Sequence, residues 1–91
     1  MDLVVWKVIL KGRPDPINGE PGSTRWWVWV AASSREIAVD AASAYVGRVA
    51  TAMGEPLPIG LGQVRVTSDE VQPGRSEGEI CRVELYMARR G

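Results

Sequence analysis

The chain has 91 residues, and its eleven Lys and Arg balance eleven Asp and Glu, so the formal charge is zero. Histidine is absent and cysteine occurs once, as Cys81. That length supports one core of a few elements. The composition excludes Ser-His-Asp and Cys-His catalysis, His-ligated zinc and an internal disulfide.

A neutral chain lacks the broad basic footprint that nonspecific duplex DNA binding needs, although a local basic patch remains compatible with it. The residues from Met1 to Lys7 show no basic run ahead of an apolar stretch, and no apolar stretch has the length of a secretory or membrane segment. The expectation is a soluble, cytoplasmic protein with no membrane partner. A bridge between two chains through Cys81 stays open.

Leu3 to Leu10 is rich in β-branched residues and reads as a strand. Val4, Trp6, Val8 and Leu10 share one face, and Val5, Lys7 and Ile9 the other. The lysine marks the second face as the wetter one. Residues 11–24 follow, with Pro14, Pro16 and Pro21 among three glycines, and read as a long loop. Loops of that length are functional or disordered.

Arg25 to Ala32 is the second strand. Trp26, Val28, Val30 and Ala32 match the aliphatic face of the first, which puts Trp27, Trp29 and Ala31 on the opposite side. The run Ser33-Ser34-Arg35-Glu36 opens a helix, with Ser33 and Glu36 at capping-box spacing. Ile37, Ala41, Tyr45, Val49 and Met53 recur every four residues, with Ala38, Ala42 and Val46 beside them, so the apolar stripe is wide enough to lie on a sheet. Gly54 is the stop and Pro56 follows it.

Residues 54–60 form a rigid loop. Leu61 to Thr67 is the third strand, with Val64 and Val66 inward and Gln63, Arg65 and Thr67 outward. A polar turn covers residues 68–78, and Glu79 to Ala88 is the last strand. There Cys81, Val83, Leu85 and Met87 form the core face, with Ile80, Arg82, Glu84 and Tyr86 opposite. Residues 89–91 read as a frayed tail.

The expected fold is a single α+β domain, 1–91. It is a two-layer ββαββ sandwich, with one long helix on one face of a four-stranded, mainly antiparallel sheet. The first and last strand pairs are expected as hairpins. On the side without the helix, Trp27, Trp29, Tyr86, Ile9, Val5 and Ile80 would gather, with Lys7, Arg65 and Arg82 among them. Apolar patches of this kind on small proteins mark interaction sites, and Trp, Tyr and Arg are the residues enriched at binding hot spots. The alternative is that the tryptophans are core, or that the 11–24 loop folds over them.

Other constellations carry less. Asp69, Glu70, Glu77 and Glu79 have no EF-hand spacing and read as a solvated acidic turn rather than a metal site. Gly54, Gly60 and Gly62 match no phosphate loop. Cys81 reads as a small core hydrophobe. No pair of groups has the makings of a general acid and base, so no catalytic residue, metal or cofactor is expected.

The segment RWWVWVAASSREIAVDAASAYV resembles a strand–helix unit of small phage and mobile-element proteins, some anti-CRISPR proteins among them. The resemblance implies a non-catalytic inhibitor that occupies the surface of a larger bacterial complex. Blocking would use either the tryptophan face as a wedge or the acidic loop as a phosphate mimic, and zero net charge weakens the second. A protein partner is thus the leading expectation, with Trp27, Trp29, Tyr86, Lys7, Arg65 and Arg82 as contact residues. A homodimer through the same face competes with it, and a single-stranded nucleic acid stacked on the open sheet is the alternative from another class.

Overall fold

The computed structural model describes residues 2–12, 24–55, 57–58 and 60–87. The elements run β1 (Val4–Lys11), β2 (Thr24–Ala32), α1 (Arg35–Met53), β3 (Gly60–Val66) and β4 (Glu79–Met87). The four strands form one sheet in the order β3-β1-β2-β4, every pair antiparallel. The expected two-layer α+β architecture is the one observed. The loop expected over 11–24 and the tail at 89–91 fall mostly or wholly outside the described residues.

Strands β1 and β2 hold the centre because their apolar alternation is the cleanest. Val8, Val28 and Val30 are fully buried beneath the helix. Each such side chain contributes roughly 1.5–3 kcal/mol relative to exposure. The helix meets them mostly with alanine: Ala38, Ala42, Val46 and Ala50 form its buried stripe. Ile37, Ala41, Tyr45 and Val49 pack on the flanks of the core. Alanine at the contact lets the helix backbone approach the sheet closely. Met53 does not join the stripe; it is 55% exposed at the last turn.

The helix start corrects the capping assignment. Ser34, not Ser33, is the N-cap, with φ −145° and its hydroxyl accepting from the Ile37 amide at 3.3 Å. Ser33 turns away, and its amide and hydroxyl both donate to Glu77 Oε1, at 3.0 and 2.5 Å. At the other end Gly54 adopts φ 73°, and its amide reaches the carbonyls of Ala50 and Thr51. The Glu55 amide returns to Ala50 O at 2.8 Å, which completes a Schellman-type stop.

Strands β3 and β4 do not form a hairpin. They occupy opposite edges of the sheet, β3 beside β1 and β4 beside β2. Residues 67–78 therefore cross the end of the sheet. The crossing is pinned on one side by the Thr67 amide on Val5 O at 2.9 Å and on the other by the Gly78 amide on Ala31 O at 2.7 Å.

A bulge changes the parity of β4. Trp29 pairs with Arg82 but Val30 pairs with Ile80, so Cys81 is the extra residue. Ile80 thus packs against the core on the helix side, and Cys81 falls on the other. Both expectations for this pair are reversed, because one inserted residue exchanges the faces of everything before it. Val83 and Leu85 remain on the helix side as expected. A second bulge lies in β3, where Gly62 stands between the partners of Ile9 and Leu10. A Cβ there would lie 3.2 Å from Ile9 O, so a larger residue would need the neighbouring strand to give by a few tenths of an ångström.

Candidate interaction face

Pairing registers arrange the side of the sheet opposite α1 in rows that run across the strands. One row is Arg65, Lys7, Trp29, Arg82. The next is Gln63, Ile9, Trp27, Glu84. Beyond it come Lys11, Arg25 and Tyr86. Successive rows lie two residues apart, or about 6.7 Å along the strands. All six residues expected from the sequence stand on this face.

The rows interlock through their side chains. Lys7 Nζ lies 3.7 Å from the Trp27 ring centroid and 5.6 Å from that of Trp29. The Arg82 guanidinium carbon lies 4.7 Å from the Trp29 centroid. Trp27 stands 4.6 Å from Tyr86 and 6.3 Å from Trp29, in tilted geometry both times. Such cation–π and tilted aromatic contacts each contribute roughly 0.5–1.5 kcal/mol. Both tryptophans are half-buried, while Tyr86 is 46% exposed. The patch is therefore neither core nor free aromatic surface: its rings lie tilted against one another, with cations over the two tryptophans.

Glu84 ties the β4 side together. It accepts from Arg82 and, at 3.0 Å, from the Tyr86 hydroxyl. These bonds, that of Tyr86 first, hold its carboxyl below the usual carboxylate range, and the Glu84 bond correspondingly raises the Tyr86 hydroxyl. Trp27 contributes an unsatisfied group: its indole Nε1 is buried with no partner among the described residues.

Not all of this side is open. Val5 is 4% exposed and Ala31 is fully buried, although both belong to it by parity. The 67–78 crossing lies over them and leaves a cleft of about 200 Å³ edged by Trp29, Asp69, Arg75, Cys81 and Arg82. Cys81 sits at its side, half-buried, with Sγ 3.8 Å from Glu79 O.

The acidic residues of that crossing do not act as one group. Glu77 is bound to Ser33, and Glu79 pairs with Arg75 at 3.2 Å. Among the described residues no group of three or more acidic, cysteine or histidine side chains converges as a metal cage would require. Among them, too, no helix is long and apolar enough to cross a membrane.

Sequence reasoning missed two members of the face. Lys11 lay just beyond the expected end of β1, and Arg25 shares the parity of Trp27 without having been singled out. Parity was the signal for both: Lys11 follows Lys7 and Ile9, and Arg25 precedes Trp27 and Trp29, at alternate positions. A separate apolar groove of about 330 Å³ opens between α1 and the start of β3, around Gly47, Leu57 and Leu61. It arises from tertiary packing and has no sequence signature. Comparison with known proteins finds no matching family model, no similar curated protein and no similar solved structure.

Proposed function

We propose that this protein works without catalysis, by binding another protein through the sheet face that carries Trp27, Trp29, Tyr86, Lys7, Arg65 and Arg82. The observation behind the reading is the aromatic cluster on the side of the sheet opposite α1. Half-buried rings and an exposed tyrosine keep apolar area at the surface of a small protein, where a partner gains by covering it. Interface cores are enriched in these residue types. The resemblance to small phage inhibitors of the anti-CRISPR type suggests the consequence: the bound partner, a larger complex, is blocked.

Stacking of single-stranded bases is the weaker reading. It needs aromatic faces open to a base. Here Lys7 lies over Trp27 and within reach of Trp29, Arg82 lies over Trp29, and Tyr86 abuts Trp27.

Affinity capture tests the proposal. Immobilised parent protein is compared with Trp29→Ala/Arg82→Glu, each from lysate with and without nuclease, after circular dichroism shows the variant folded. The expected result is a protein retained by the parent, lost with the variant and indifferent to nuclease. Retention that nuclease abolishes, or that the variant keeps unchanged, overturns it.

A further inference from the structure

The charge on the face is lopsided in a chain whose total is zero. By register the open rows hold Lys7, Arg65 and Arg82, then Glu84, then Lys11 and Arg25. Glu84, the sole carboxylate among them, is already engaged by Arg82 and Tyr86. Among the described residues Lys7, Lys11, Arg25 and Arg65 form no salt bridge. Cationic rows therefore flank a middle row in which Trp27 is half-buried and Ile9 is buried beside it.

That pattern selects among occupants. A second copy docked face to face would set like charges against each other, which costs affinity. A single nucleic-acid strand would supply anions but would meet a cation over each indole face on which a base would stack, whereas an aliphatic side chain needs only exposed ring area. An extended polypeptide lying along the strand direction presents a side chain toward the sheet every second residue, at the same spacing of about 6.7 Å as the rows. Resting on the binding reading above, we infer that the face receives an extended acidic segment of a partner protein. Its two carboxylates meet the cationic rows, and an apolar side chain at the alternate position between them lies against the part of the half-buried Trp27 ring that Lys7 and Tyr86 leave uncovered. The acidic residues 69 and 70 at the crossing fix the end of the footprint, because a carboxylate there would be repelled.

The test is a titration of the 15N-labelled protein, read at the indole N–H signals of Trp27 and Trp29. The probes are a peptide with the core Glu-Ser-Leu-Ser-Glu, its Gln-for-Glu counterpart, a scrambled peptide of the same composition, and a dodecamer of deoxythymidine. The expected result is saturable shifts at both indoles with the first peptide. Affinity should fall with the scrambled peptide and with rising salt, and nearly vanish with the Gln peptide. Arg65→Glu/Arg25→Glu removes one exposed contact in each cationic row and should weaken binding about tenfold. Equal binding of the Gln peptide overturns the acidic partner but leaves binding through this face standing. Equal binding of the scrambled peptide overturns the extended register. Binding of the oligonucleotide in place of the peptides overturns both the inference and the reading beneath it. Silence of the indoles with every probe overturns the inference, while the capture experiment judges the reading separately.

Discussion

Lys7 Nζ stands 3.7 Å from the centroid of the Trp27 ring, on a central strand and one position diagonal from its register partner Trp29. A cation in the middle of a central strand would ordinarily be a weakness. Here its ammonium covers the indole face, and the side chain is half-buried. The same contact gives the face its charge and keeps its aromatic rings in place.

The cation–π term is measurable. Lys7→Met preserves most of the stem and deletes the charge. The expected loss is about 0.5–2 kcal/mol in urea unfolding, because the site is half-buried. Lys7→Arg should recover most of it. A Lys7→Met variant as stable as the parent would mean that the ammonium contributes nothing over the ring.

The alanine stripe sets a tight tolerance on the helix layer. Ala42 is fully buried against the sheet, whereas Ala44 is exposed on the same helix. Ala42→Leu has no room and should destabilise by about 1–3 kcal/mol or more. Ala44→Leu should change stability by less than about 0.5 kcal/mol. Urea midpoints for the two variants, compared under one condition, check the orientation of α1.

How far the sequence carries depends on the range of the interaction. The pairing of β1 with β2 and the side taken by Trp27 and Trp29 follow from alternation, which is local and has period two. The reversal at Ile80 and Cys81 does not, because a bulge arises where two strands are fitted together and leaves no local mark. Ser33 and Ser34 are equally good caps by chemistry; the tie is broken by Glu77, forty-four positions away in sequence from Ser33. The placement of β3 and β4 on opposite edges is set by which central strand each one joins. Cation placement over the rings required the register, so the common face of the six candidate residues was legible but their mutual contacts were not.

The bulge makes a claim about Cys81. On the helix side its thiol would react only after global unfolding. Beside the cleft and half-buried, it should be labelled by a thiol reagent at a rate nearly independent of low urea concentration. Ile80→Ala should cost about 2 kcal/mol, since Ile80 packs on the core. A thiol protected to the full unfolding free energy would return Cys81 to the core.

The C-cap is the simplest backbone test. Gly54 holds φ 73° with open space where a Cβ would stand, so strain and not collision decides the outcome. Gly54→Ala should cost about 1–2 kcal/mol. Gly54→Asn should cost less, since asparagine tolerates the left-handed region better.

Acid should loosen the helix start through Glu77. Hydrogen bonds from the Ser33 hydroxyl and amide hold its carboxyl below the usual carboxylate value of 4.5. The unfolded chain then takes up that proton at a higher pH than the folded one. The stabilisation is fully present above the unfolded value and is lost as pH falls through the lowered folded value. Glu77→Gln has no proton to gain, so its urea midpoint should decline less than the parent's between pH 6 and about pH 3. Glu84, likewise lowered, retains its own acid response in that variant and serves as the internal comparison, removed in turn by Glu84→Gln. Parallel acid declines in parent and Glu77→Gln would mean that the Ser33 bonds form equally well with the protonated carboxyl, and that the link from the crossing to the helix start is insensitive to charge.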